Sequence, residues 1–345
     1  IVEWLNWRWV LFVNVPIGVL IALAAPRWIK ESERHPGHFD LLGALTSTAG
    51  MVLLVYGFIR AAQEGWRDAL TLASFGAAVV FLTAFILIER RSSQPITPLH
   101  MFADRNRAGT YGMMLSLAAA IFGMFFFLTL FVQDVLGFSP LATGFAFLPV
   151  SAVIAVGAGL ASRFLPTFGP KPFLVVGAIL AAGGLAWLTL TDVHSTYAGS
   201  ILGPILVFSL GMGMEFVSLT LMALSNVPVQ ETGAASGLLN ATQQVGGSLG
   251  LSILTTVFGS ASKDEAKKQL PRFLSHGSPE QKAEFAKTHQ LPGTWGHEVL
   301  TQGIATGFVA AAAMAVLALG SAWLVIRVRK SDLEALAGTA GPGIG

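Results

Sequence analysis

Glu215 sits in the stretch Gly211-Met212-Gly213-Met214-Glu215-Phe216, well inside an apolar run over residues 198–224. On a helix it lies about nine residues, roughly 14 Å, from the end of the run near Leu224. An ionised carboxylate at membrane depth costs on the order of 2.5–3.5 kcal/mol or more, so the side chain has to face the interior of a bundle. Two chemistries suit it there: carrying a proton, or meeting a cationic ligand. The plainer alternative is a neutral Glu hydrogen-bonded to a neighbouring helix.

A second group is polar but uncharged. Ser236, Asn240, Gln243 and Gly247 fall at i, i+4, i+7 and i+11, which is one face of a helix. Gln244 stands about 100° round from Gln243. Such amides can line a polar path or bridge helices, and both readings stay open. The pairs Gly233/Gly237 and Gly246/Gly250 have the four-residue spacing that lets helices pack closely. Gln133 and Asp134 close an earlier apolar run, either as a solvated helix end or as a contact for a ligand on its way out. Arg107 and Arg163 lie at the ends of apolar runs, suited to anchoring at headgroups or to gating. Phe125-Phe126-Phe127 with Met113, Met114 and Met124 would suit a soft pocket for flat apolar cations, or simply pack against neighbours and lipid.

Other chemistries find no residues to carry them. The chain has no Cys, so disulfides, thiolate catalysis and Cys-based metal sites are excluded. His35 and His38 flank Pro36-Gly37, but two His on a short polar loop without a carboxylate set read as loop residues, not metal ligands. There is no HExxH, no phosphate-cradling GxxxxGK[ST] and no nucleophile elbow. An enzyme is not expected, and no cofactor.

The elements that must position these side chains follow from composition. Of 345 residues, 53% are hydrophobic and 12% charged. A soluble domain carries about 25% charged residues. A soluble enzyme, a nucleic-acid binder and a disordered chain are excluded at this step. Nine apolar runs are long enough for a bilayer core of about 30 Å: 9–28, 39–59, 69–88, 109–132, 141–162, 172–191, 198–224, 233–258 and 303–326. None alternates with the period a β-barrel needs. The fold class is an all-α polytopic membrane protein.

Orientation follows from Lys and Arg. If the first run crosses from outside to inside, the inner segments hold twelve, at 27, 30, 34, 90, 91, 105, 107, 163, 171, 327, 329 and 330. The short outer segments hold three, Arg8, Arg60 and Arg67. Residue 1 is therefore expected outside and the C-terminus inside. The 259–302 segment carries charged, helix-favouring stretches, 263–268 and 279–284, broken by Gly277, Pro279, Pro292 and Gly293. One or two short surface helices outside the membrane are expected there, and a disordered tail over 331–345.

Five motifs then occur in a familiar order. They are Trp7-Arg8-Trp9 through Asn14-Val15-Pro16-Ile17-Gly18; Phe39-Asp40-Leu41-Leu42-Gly43 with Gly65-Trp66; Pro98-Leu99-His100-Met101-Phe102 with Arg105-Asn106-Arg107; Gln133-Asp134-Val135-Leu136-Gly137-Phe138-Ser139-Pro140 with Leu148-Pro149; and Gly233-Ala234-Ala235-Ser236-Gly237 through Gly246-Gly247-Ser248-Leu249-Gly250. Together they resemble the fourteen-helix drug:proton antiporters of the major facilitator superfamily, from their sixth helix to the end. Gly159-Leu160-Ala161-Ser162-Arg163 through Gly169-Pro170-Lys171 resembles a degraded copy of that superfamily's basic gating loop, without its acidic residue.

The resemblance implies a division of the chain. Residues 1–30 would be the last helix of an N-terminal half, 31–95 a two-helix insert, and 96–330 a six-helix C-terminal bundle with 259–302 as its long external loop. Five upstream helices would be missing. It also implies a function: proton-coupled efflux of hydrophobic or cationic small molecules across the bacterial inner membrane, driven by the proton gradient, as in antibiotic resistance. The partners would be a small substrate, protons and the lipid bilayer, with no nucleic acid; a periplasmic or membrane partner is left open. The candidate proton and substrate pathway is Glu215, Asn240, Gln243, Gln244, Gln133 and Asp134. Two other expectations stand beside this one: an exporter of a native metabolite or lipid-like compound, and a non-transporting truncated fragment.

Overall fold

Blocks of Leu, Ala, Val, Phe and Gly flanked by charged or capping residues give long helices joined by short turns. The computed structural model describes residues 8–28, 40–92, 95–97, 99–225, 227–289 and 291–327. His35, His38 and the 331–345 tail lie outside the described residues. Nine helices among those described are long and apolar enough to cross a membrane. They are α1 (Arg8–Trp28), α2 (Leu41–Glu64), α3 (Ala69–Glu89), α4 (Arg105–Val135), α5 (Pro140–Phe168), α6 (Pro170–Leu188), α7 (Tyr197–Leu224), α8 (Thr232–His276) and, after the short α9 (Pro279–Thr288), α10 (Thr294–Leu324). The protein is a multi-pass helical membrane protein.

Local sequence sets the helix starts. Carboxylates of Asp40, Asp68 and Asp104 accept from the backbone N–H of Gly43, Thr71 and Arg107, which satisfies groups a helix N-terminus leaves open. Ser139 caps α5 with Pro140 in the first turn. Gly169 turns α5 directly into α6. Its φ of +76° is one that a residue with a side chain rarely adopts.

Helices α4 to α8 and α10 share one core, in which Met113, Met114, Leu117, Met124, Phe127, Phe208 and Phe308 are buried. α4 and α8 run in the same direction, and their contacts advance together in steps of four. Leu115 meets Gly246, Ala119 meets Gly250, Leu254 meets Gly123, and the Phe127 and Phe258 rings lie 5.5 Å apart. α10 packs on α4, α8 and α6, while α7 packs on α6 and α5. The α2–α3 hairpin, held by Gly50 against Leu82 and Gly57 against Phe75, docks on α8. There Ser252 donates to the Phe58 carbonyl, and Trp66 Nε1 donates to Thr256 Oγ1 at 3.1 Å. α1 buries none of its side chains.

The 259–302 segment differs from expectation. Its first charged stretch is not a separate surface helix but a continuation of α8, which runs unbroken for 45 residues through Pro271. At 1.5 Å per residue that is about 67 Å, more than twice the bilayer core. The charges after residue 259 mark where the chain leaves the apolar layer, and helix-forming residues carry the helix on beyond it. The second stretch forms α9, which starts with a capping box between Ser278 and Gln281.

Candidate functional site

The Glu215 side chain is fully buried between α7 and α6. Its room comes from Gly177 of α6, where an added Cβ would lie 2.6 Å from Glu215 Cγ. The same glycine lets the backbones of α6 and α7 approach, since that Cβ would also lie 2.8 Å from the Gly211 carbonyl oxygen. Gly184 meets Pro204 and Phe208 in the same way, and Gly157 of α5 lies on Leu210 and Gly213. Glycines thus bring α5, α6 and α7 close together, and Gly177 is the one that lies on the Glu215 side chain.

Neither Glu215 oxygen has a hydrogen-bond partner among the described residues, and both are shielded from solvent. The hydroxyls on either side along α7 are committed to their own helix: Ser209 donates to Ile205 O and Ser218 to Met214 O. The bond to a neighbouring helix that a passive Glu would make is therefore not formed here. A buried polar group without a partner is costly, and a charged one far more so. Such a group is suited to exchanging a proton or a partner.

The polar set on α8 is not one surface. Gly247 is buried against the Phe122 ring of α4, whereas Asn240 is exposed and donates back to Ser236 O at 3.0 Å. Gln243 is half-buried. Gln244 turns toward the α2–α3 hairpin and lines a cavity of about 470 Å³ with Met51, Val55, Tyr56 and Ile59 of α2. Of the two glycine pairs, Gly246 and Gly250 lie on α4. Gly233 and Gly237, expected to pack a helix, have nothing within 4 Å of their Cβ positions.

Gln133 and Asp134 lie in the π-helical turn Phe131–Val135 that ends α4, the first half-buried and the second exposed. Arg107 is buried at the start of α4, and its guanidinium donates to the Ser225 carbonyl at the end of α7, 3.4 Å away. Arg163 is exposed, with its guanidinium 5.6 Å from the Phe164 ring centre. The soft-pocket reading of the Met and Phe residues is corrected: Met113, Met114, Met124 and Phe127 are wholly packed in the core, and only Phe125 and Phe126 reach its edge.

Several contacts had no counterpart in the sequence reading. Lys171 Nζ and Arg105 donate to carbonyls at the C-terminal end of α10, Ile326 O at 2.8 Å and Leu324 O at 2.7 Å respectively. Asn106 bonds Arg327 in both directions. Cations placed there also suit the negative end of the helix dipole. Glu89, the last residue of α3, is buried and accepts the backbone N–H of Ile96 at 3.1 Å. Gly177 and Gly211 carried a signal only in part, since glycines in membrane runs mark close packing without naming the partner.

Known proteins place this arrangement. Residues 1–251 match the Major Facilitator Superfamily. The chain is 39% identical to the puromycin resistance protein pur8 of Streptomyces alboniger, over 74% of this chain and 51% of that protein. It is 35% identical to the cephamycin export protein CmcT of Amycolatopsis lactamdurans, over 75% of this chain and 54% of the relative. With the tetracenomycin C resistance and export protein of Streptomyces glaucescens it shares 35% identity, over 79% of this chain and 52% of the relative. The chain spans about half the length of these curated relatives. The match runs through α1 to α8 and takes in Glu215, its glycine neighbours and the α8 amides, so the chain belongs to the Major Facilitator Superfamily.

Proposed function

We propose that this chain forms the C-terminal part of a proton-coupled exporter of hydrophobic small molecules, with Glu215 as its proton carrier. The observation that carries the coupling is the enclosed carboxyl group whose two oxygens have no partner. The reading as an exporter rests on relatives named for resistance to, or export of, puromycin, cephamycin and tetracenomycin C. In this reading the six-helix bundle supplies one wall of a cavity, and rocking against a second bundle alternates access to it. The proton gradient across the bacterial inner membrane is the energy source, with residue 1 outside and the C-terminus in the cytoplasm.

The test is efflux from cells lacking their own pumps, expressing the complete coding sequence in which this chain occurs. Accumulation of a hydrophobic antibiotic should fall, and a protonophore should restore it. Efflux that survives collapse of the proton gradient sinks the coupling. A second reading is export of one native compound rather than many drugs. It is favoured by relatives named for single compounds, set against a 30% identical relative named multidrug resistance protein Stp. A panel of unrelated substrates separates the two: one exported compound supports the second reading, several support the first.

A further inference from the structure

Where α8 leaves the membrane, its sequence keeps one apolar face. Phe258, Ser262, Ala266 and Leu270 recur every fourth residue, Lys267 stands at the edge of that face, and Asp264 and Lys268 take the other side. Its membrane-proximal end rests on α10, where Gly303 lies against Phe258 and Ser262 Oγ, and beyond that contact the face lines an open space. α9 folds back toward it, ends at His289 in a left-handed conformation (φ +55°), and the chain is redirected at Gly293 (φ +60°) into α10. Phe273 closes the far end, its ring 5.4 Å from Phe285 and 6.1 Å from Trp295. The near end is floored by Phe258, which rests on Phe127 of the core.

Between these elements lies a cavity of about 580 Å³, within the range of small-molecule sites. Leu270, Phe285, Leu291 and Leu300 are among its walls. Apolar walls that are not filled by the protein's own side chains favour an apolar guest. One polar residue borders this space, with its hydroxyl turned against Gly303 of α10. Ser262 Oγ is buried and makes no hydrogen bond among the described residues, whereas Thr242, Ser248, Thr255 and Thr256 on this helix donate back to carbonyls four residues earlier.

The charge at the rim selects the guest. Lys267 and His289 are the only ionisable side chains among the described lining residues, and both are basic. Lys267 reaches Asp264 at 3.3 Å, but both are largely exposed, and a pair of that kind is weak and easily exchanged. We propose that this cavity, outside the membrane layer, is a binding site for an anionic amphiphile: an apolar chain seated among Phe258, Leu270 and Phe285, with its negative end at Lys267 and His289. It is separate from Glu215, which lies on other helices, and it does not depend on the proton-coupled reading. A fatty acid and an anionic membrane lipid share this chemistry.

The test uses the full chain in lipid nanodiscs with a photoreactive diazirine analogue of dodecanoate, and the labelled peptides are located by mass spectrometry. Label is expected in peptides spanning 258–300, displaced by excess dodecanoate but not by dodecyltrimethylammonium. Leu270→Trp should fill the cavity and cut labelling at least fivefold. Lys267→Glu, at an exposed position that leaves folding intact, should cut it severalfold and let the cationic amphiphile compete. Replacing phosphatidylcholine with phosphatidylglycerol in the disc separates the sources. A severalfold drop identifies a membrane lipid as the occupant, and unchanged labelling a free amphiphile. Labelling spread over α1 to α3, labelling indifferent to both substitutions, or equal displacement by the cation overturns the proposal.

Discussion

Gly177 stands where any side chain would strike Glu215: a Cβ there would come within 2.6 Å of Glu215 Cγ. The carboxyl group and the glycine are one unit, since the missing side chain on α6 is the space that α7 fills. Two substitutions at this contact have opposite expected consequences. Glu215→Gln keeps shape and removes the ionisable proton. It should leave the melting temperature in detergent within about 2 °C of the parent, or raise it, while efflux by the complete transporter falls at least tenfold. A Gln variant that exports at the parent rate shows that Glu215 carries no proton. Gly177→Leu should instead destabilise the bundle by about 1–3 kcal/mol, the range for overpacking a tight core. A drop in melting temperature of several degrees is the check.

The α4–α8 contact makes a second, purely structural prediction. Gly250 lies so close to Ala119, and Gly246 to the Leu115 backbone, that no Cβ fits at either. Gly250→Val and Gly246→Val should each lower thermal stability markedly or prevent folding. Gly233→Ala and Gly237→Ala enter open space and remove backbone freedom from the unfolded chain. They should be neutral or slightly stabilising in the same melting series. Equal losses at all four positions would mean that the spacing of the pairs, and not their surroundings, sets the cost.

Much of this architecture was legible in the sequence, and for a physical reason. A bilayer demands about twenty apolar residues per crossing, so the apolar run 69–88 matches α3, Ala69–Glu89, to within a residue. The end of α8 was not legible. Charged residues such as Lys263, Asp264 and Glu265 announce water, but they are good helix formers, and leaving the membrane does not end a helix. The burial of Glu215 could be read from its apolar surroundings. Its seat on Gly177 could not, because a glycine says that something comes close without saying what. The amides of α8 illustrate the same limit. Their shared face is real, but α4 covers Gly247 and not Asn240. Helix periodicity is blind to where a neighbour begins and ends.

Outside the apolar layer, Asp68 gives a prediction that depends on pH. Its carboxylate accepts from Arg60 Nε at 2.6 Å and from the backbone N–H of Thr71 at 3.0 Å. The Arg60 bond first, then the Thr71 bond, hold its pKa down at about 2, below the usual carboxylate value. A depressed folded-state pKa means that the stabilisation is complete above the unfolded value near 4 and is lost as pH falls toward 2. Asp68→Asn retains the helix cap but loses the charge. It should melt lower than the parent at pH 7, and the gap should close between pH 4 and pH 2. A gap independent of pH would assign the effect to the cap alone.

The sidedness of the chain has a direct test, because the protein contains no Cys of its own. Arg163 and Lys267 are both exposed, and three crossings, α6, α7 and α8, separate them. They must therefore lie on opposite faces of the membrane. In the proposed orientation, drawn from the excess of Lys and Arg, Arg163 is inside. In intact cells a membrane-impermeant maleimide should modify Lys267→Cys, and Arg163→Cys only after permeabilisation. The reverse pattern would invert the orientation while keeping the number of spans. Equal labelling of both from outside would mean that one of those three helices does not cross the membrane, and the enclosed setting of Glu215 on α7 would then need another explanation.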